Sequence, residues 1–138
     1  MQLSIRQTPR PASVLIVDDD RPLLWALTTQ LSKFGYRCNP CGNASEAMLQ
    51  FAVRNFDLVI TDITMPGIDG LSVLAMIRSQ SGVPILVITG HSREYGSLIN
   101  RYQNVKLLRK PLEPQHFVET VRECLGRGIQ PEAVARCA

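Results

Sequence analysis

Short apolar runs alternate with longer amphipathic segments along this chain. VLIV (14–17), DLVIT (57–61) and PILVIT (84–89) are continuous apolar stretches, the pattern of strands covered on both faces. VKLLR (105–109) is a weaker strand candidate and YRCN (36–39) the weakest. Between them the apolar positions recur at helical spacing. Leu23, Leu24, Leu27, Leu31 and Phe34 form one face of a helix that should end at Gly35, with Pro22 suited to its first turn. Ala44, Ala47, Met48 and Phe51 form a second face, and Leu71, Leu74 and Ala75 a third. Tyr95, Leu98, Ile99 and Tyr102 form a fourth, weakened by Gly96; Phe117, Val118, Val121, Cys124 and Leu125 form a fifth. Five strand–helix repeats predict an α/β domain, a five-stranded parallel sheet with helices on both faces. Right-handed crossovers then bring every strand's C-terminal end to one edge, where such sheets bind ligands.

Composition narrows the class. The chain has 138 residues, 45% of them hydrophobic and 20% charged, with a net charge of +3. That is one soluble globular domain with a full core, expected over 13–125, between a loose arm (1–12) and a tail (126–138). No run of Lys or Arg makes a nucleic-acid footprint. No apolar run has membrane-spanning length, and MQLSIRQTPRPA lacks a signal-peptide core. A cytoplasmic protein with no nucleic-acid or membrane partner is expected, a monomer or weak homodimer. All six aspartates lie between Asp18 and Asp69, so an acidic cluster should come from the first half.

Cys38, Cys41, Cys124 and Cys137 are expected to be reduced. Cys38-Asn-Pro-Cys41 has the C-x-x-C form of a redox dithiol. The favoured reading is two small residues at a strand exit, because no second pair completes a zinc site.

The strand ends carry the chemistry. Asp18, Asp19 and Asp20 follow the first strand, Asp62 the third, Thr89, Gly90 and His91 the fourth, and Lys110 and Pro111 the fifth. Three adjacent acids repel one another and call for a counter-charge. A hard cation such as Mg²⁺ takes one or two carboxylates plus waters and a phosphate. Lys110 can pair with a carboxylate or a phosphoryl oxygen, and Thr89 can donate one hydrogen bond to such an oxygen. A carboxylate can attack phosphorus to form an aspartyl phosphate, with metal and Lys neutralising the transferring group.

VDDD, TDITMPGIDG, ITG and LLRKP, in this order on these strands, resemble the receiver domain of two-component response regulators. The resemblance implies a flavodoxin-like sheet of order 2-1-3-4-5. It implies Asp62 as the phosphoacceptor, with Thr89 and Lys110 contacting the phosphoryl group. The Mg²⁺ ligands would be Asp19, Asp18 acting mainly through water, Asp62 and the backbone carbonyl of Thr64. Lys110–Pro111 would be cis, Met65-Pro66-Gly67 would form the loop beside the acceptor, and Gly70 would open the third helix. Thr64 and His91 occupy positions that tune hydrolysis, though His91 also reads as an exposed loop histidine. The phosphodonor would be a histidine kinase or a histidine phosphotransfer protein.

The chain departs from the pattern in places. Leu107 stands where an aromatic is usual, Leu112 where Phe is frequent, and Gln103 and Asn104 where small residues are usual, so the usual aromatic readout is in doubt. Trp25 lies off the first helix's apolar stripe, as a partner contact or a partly covered surface aromatic would. With 13 residues after Leu125, a stand-alone receiver acting by partner binding or phosphate shuttling is expected. A haloacid-dehalogenase-like Mg²⁺-dependent phosphatase would use Asp18-x-Asp20, but would leave Asp62 unexplained and lack the acids it needs after Lys110. A receiver-like module working without phosphorylation is the third reading.

Overall fold

The computed structural model describes residues 10–63, 70–90 and 92–126. The arm expected over 1–12 and the tail over 126–138 fall almost wholly outside them. Ten elements alternate strictly: β1 (Ser13–Val17), α1 (Arg21–Lys33), β2 (Arg37–Cys41), α2 (Ala44–Val53), β3 (Leu58–Asp62), α3 (Gly70–Gln80), β4 (Ile85–Thr89), α4 (Ser92–Ile99), β5 (Val105–Arg109) and α5 (Pro114–Gly126). All strand pairs are parallel, in the order β2-β1-β3-β4-β5. This is the flavodoxin-like order. The strand order reverses its direction of growth between β1 and β3, the switch point at which such sheets bind ligands. Among the described residues no helix is long and apolar enough to cross a membrane.

Two apolar layers hold the sheet. Val14, Ile16, Leu58, Ile60, Leu86 and Ile88 face α1 and α5. Leu15, Val17, Val59, Ile85 and Val87 face α2, α3 and α4. Alternate residues of one strand thus feed opposite cores, and β1, β3 and β4 need apolar residues at nearly every position. That is why these three strands stand out in the sequence and the outer two do not. β2 is the edge strand that runs through Pro40, which edge positions tolerate. It starts one residue and ends two residues beyond the expected YRCN.

The helices follow their expected faces with three corrections. Phe34 is not in the core. It is the C-cap of α1 with φ −93° and ψ 10°, so the helix has already unwound there and the ring leaves the stripe. Its side chain is exposed, with the Arg122 guanidinium 5.9 Å from the ring centroid. Gly35 closes the helix at φ +89°. Its N–H donates to the Ser32 carbonyl and that of Tyr36 to the Leu31 carbonyl, a Schellman end that favours glycine. In α3 the buried face is Gly70, Val73, Leu74 and Ile77, while Ala75 is exposed. The close seat of Gly70 on the sheet rotates the helix to this face. The tyrosines of the fourth segment do pack on the second core, but α4 ends at Ile99 and Tyr102 sits in the turn beyond it.

The cysteines do not form the C-x-x-C pair either. Cys38 and Cys41 both lie within β2, three residues apart. Cys38 packs on the α1/α5 side and Cys41 on the α2/α3 side. The sheet separates their side chains, so they do not form a dithiol in this fold. Burial pushes both thiols up, Cys41 to about 12 with Glu46 adding to the shift, which keeps them protonated and unreactive.

The unusual residues before β5 also find a structural reason. Asn104 adopts φ +60°, a left-handed conformation that asparagine tolerates better than most residues. Its carbonyl accepts from Ile85 N–H and from Arg78 Nη2, and its amide donates to the Gly82 carbonyl. Leu107 lies opposite Val87 in β4 and packs on the second core, and Leu112 packs on the first.

Candidate functional site

The C-terminal ends of β1, β3, β4 and β5 converge on one edge. Asp18 directly follows β1. Its N–H donates to the Cys41 carbonyl of β2, which extends the strand pairing by one residue and buries the side chain. Its carboxylate is held from two sides: Oδ1 accepts from the Asp20 N–H at 2.9 Å, and Oδ2 lies 3.3 Å from Lys110 Nζ. Asp62 is the last residue of β3 and faces the same ammonium, with Oδ2 3.1 Å from Nζ. Asp18 is 2% exposed and Asp62 5%. Asp19 is exposed, yet one of its oxygens lies within 4.8 Å of ligand oxygens from both Asp18 and Asp62. Thr89 ends β4, one residue beyond the position opposite Asp62, and is fully buried. Its carbonyl accepts from the Lys110 N–H at 2.9 Å, which ties the lysine to the neighbouring strand end. The Lys110–Pro111 bond is cis.

Asp20 has a separate task. It is exposed and N-caps α1, its Oδ1 accepting from the Leu23 N–H at 3.1 Å. The D-x-D pairing of a haloacid-dehalogenase phosphatase is therefore not formed. The acid grouped with Asp18 is Asp19, together with Asp62. The reach of the Asp18 carboxylate back to the Asp20 N–H was not foreseen, although an acid accepting from the residue two positions on is a familiar turn of such sequences. Thr64, His91 and the Met65-Pro66-Gly67 loop lie outside the described residues.

Lys110 pairs with two carboxylates and a third, that of Asp19, lies beside them, and the electrostatics show the deficit. Burial pushes the Asp18 carboxyl above its ordinary value; the Asp20 N–H and Lys110 pull it back only in part, and the Asp62 charge adds to the rise. Burial alone would lower the Lys110 ammonium, but Asp18 and Asp62 outweigh it and hold it above its ordinary value. The site is short of positive charge. Three oxygens this close suit a small hard cation, because ligands about 2.1 Å from an octahedral Mg²⁺ stand roughly 3–4 Å from each other. The donor set is all oxygen, which also favours Mg²⁺ over softer metals.

A raised Asp18 pKa means that the folded state binds this proton more tightly than the unfolded state. The ionised carboxylate thus costs stability above its folded pKa, and the cost disappears as pH falls through it. We expect metal-free Asp18→Asn to melt at or above wild type at pH 7. Mg²⁺ should raise the melting temperature of wild type and raise that of the variant less. Thermal melts in EDTA and in Mg²⁺ measure both. A variant that melts lower in EDTA and gains as much from Mg²⁺ would contradict the charge deficit.

The fold and the edge together define a five-stranded parallel α/β domain with an acid–lysine centre at its switch point. Residues 14–122 match the family model for the response regulator receiver domain, and the chain belongs to that family. It is 36% identical over 132 residues to the probable transcriptional regulator ycf27 of Cyanidium caldarium, covering 92% of this chain and 51% of that protein. It is 30% identical over 122 residues to the transcriptional regulatory protein ResD of Bacillus subtilis, covering 85% and 49%. The chain thus spans about half the length of these relatives. Among solved structures it is similar to the response regulator TrrA of Thermotoga maritima in complex with Mg²⁺–BeF, with 31% identity, a TM-score of 0.75, and 83% and 99% of the two chains covered. It also resembles the chemotaxis response regulator CheY4 of Vibrio cholerae, with 28% identity, a TM-score of 0.77, and 83% and 99% covered.

Proposed function

We propose that this receiver accepts a phosphoryl group on Asp62 from a phosphohistidine of a histidine kinase or phosphotransfer protein, in a Mg²⁺-dependent reaction. The observation that carries the reading is the bridge of Lys110 between Asp18 and Asp62, with Asp19 beside them. In the step, an Asp62 oxygen attacks phosphorus and the bond from phosphorus to the imidazole nitrogen breaks. The imidazole leaves with a proton from solvent, and Asp62 carries an acyl phosphate. Lys110 holds positive charge where the phosphoryl oxygens gather. Thr89 supplies a hydroxyl donor at the neighbouring strand end. Asp18, Asp19 and Asp62, with the Thr64 carbonyl, would hold Mg²⁺, which when bound offsets the charge of the transferring group. Thr64 and His91 would flank the acceptor and govern water access.

The protein is a signalling phosphoacceptor rather than an enzyme turning over a free substrate. The signal would leave through partner binding or onward transfer of the phosphoryl group, in the cytoplasm where phosphohistidine donors are made. Leu107 removes the usual aromatic readout on β5, so any rearrangement would run through Thr89 and α4.

The test is labelling with acetyl phosphate and Mg²⁺. Wild type should gain one phosphoryl group by mass spectrometry, and Asp62→Asn none. No Mg²⁺-dependent adduct on wild type would instead favour a receiver-like module that works without phosphorylation. An equal adduct on Asp62→Asn would move the acceptor elsewhere.

A further inference from the structure

At the opposite edge, where the strands begin, a cleft of about 530 Å³ opens between the ends of α1 and α2. Arg10, Arg37 and Arg54 line it, with Tyr36, Asn55 and Asp57. None of the three guanidiniums makes a side-chain hydrogen bond or an ion pair among the described residues. The one carboxylate present is already engaged, its Oδ2 accepting from the Ser13 N–H at 2.7 Å. Asp57 thus pins the start of β1 instead of pairing with an arginine. The C-terminal end of α2 offsets part of the Arg54 charge, by about half an elementary charge. Arg10 and Arg37 still exceed the single negative charge of Asp57, and the cleft remains positive.

Three guanidiniums dominate the charge of the lining, and the hydroxyls of Ser32 and Tyr36 and the Asn55 amide add further donors. Guanidiniums present a planar fork that matches phosphate oxygens two at a time. The volume lies within the few hundred to a thousand Å³ of small-molecule sites. Several forks in one recess suit a ligand whose anionic groups are adjacent rather than single. We propose that this cleft binds a diphosphate group. The group arrives either on a nucleoside or as free pyrophosphate. The site is independent of the phosphoacceptor edge and shares no residue with it.

Isothermal titration of the full chain in EDTA tests the site, because removal of divalent metal keeps a phosphate ligand from being drawn to the acidic edge. Pyrophosphate and ADP are the probes, with orthophosphate alongside. We expect saturable one-to-one binding of pyrophosphate and ADP, each at least tenfold tighter than orthophosphate. The Arg37→Gln/Arg54→Gln variant should bind at least tenfold more weakly and still label with acetyl phosphate as wild type does. Both substitutions are at exposed positions, and circular dichroism verifies that the variant folds. ADP tighter than pyrophosphate assigns a nucleoside carrier; equal affinities assign the free diphosphate. No saturation by either probe at millimolar concentration overturns the proposal. So does orthophosphate binding as tightly as pyrophosphate, or a folded double variant that titrates like wild type.

Discussion

Lys110→Met is expected to lower the stability of the metal-free protein by about 3 kcal/mol, the usual cost of stripping one partner from a buried ion pair. Methionine keeps most of the apolar stem and removes only the ammonium. What remains is two nearly buried carboxylates, Asp18 and Asp62, that had shared one cation at 3.3 and 3.1 Å. Two such acids cannot both stay ionised without cost, so one pKa rises. Three results follow from this single cause. The melting temperature at pH 7 in EDTA drops by roughly 10 °C. The loss shrinks as pH falls, because protonation of one carboxylate relieves the repulsion. Mg²⁺ recovers at least half of it, since a divalent cation supplies the missing charge. Labelling by acetyl phosphate stays low even in Mg²⁺, because the metal replaces the charge but not the ammonium's position. Thermal melts across pH, with and without Mg²⁺, measure the set. Equal melting of variant and wild type in EDTA at pH 7 would mean that the lysine does not compensate the acids.

Gly70→Ala should be at least as damaging, through a different force. A Cβ at this position would collide with the backbone of Ile63, its carbonyl oxygen and Cα included. Backbone cannot rotate away as a long side chain could. The Gly70 N–H also donates to the Ile63 carbonyl at 3.1 Å, so moving the helix to make room breaks that bond and shifts Val73, Leu74 and Ile77 out of the core. Overpacking typically costs about 1–3 kcal/mol, and a clash with fixed backbone puts this one at the upper end, about 3 kcal/mol. Ile63 directly follows Asp62, so the same shift disturbs the proposed acceptor. Chemical denaturation should show the lost stability, and labelling should fall with it. A Gly70→Ala protein as stable as wild type would show that α3 can move away from β3 without penalty.

Much of this protein is legible along the chain. The three central strands are buried on both faces, and that requirement writes itself into VLIV, LVIT and ILVIT as unbroken apolar runs. The five-fold strand–helix alternation follows from the same pattern, and with it the gathering of Asp18, Asp19, Asp62, Thr89 and Lys110 at one edge. Local chemistry was equally readable where it involved near neighbours: Pro22 in the first turn of α1 and Gly35 at its end.

What the chain could not disclose depends on contacts between distant segments. Which of the adjacent aspartates pairs with Lys110 is one case. All three are aspartates, and only the meeting of β1 with β3 and β5 decides which carboxylate faces Lys110. The face of α3 is another, because Ala75 suits a helix stripe as well as Val73 and Ile77 do. The close approach of Gly70 to Ile63 chose between them. Cys38 and Cys41 look like a pair in one dimension, and a strand between two cores sends them to opposite sides. The arginines at 10, 37 and 54 look like scattered surface charge and become one cleft only when β1, β2 and the end of α2 come together. Periodicity records whether a residue is buried, and tertiary structure decides against what.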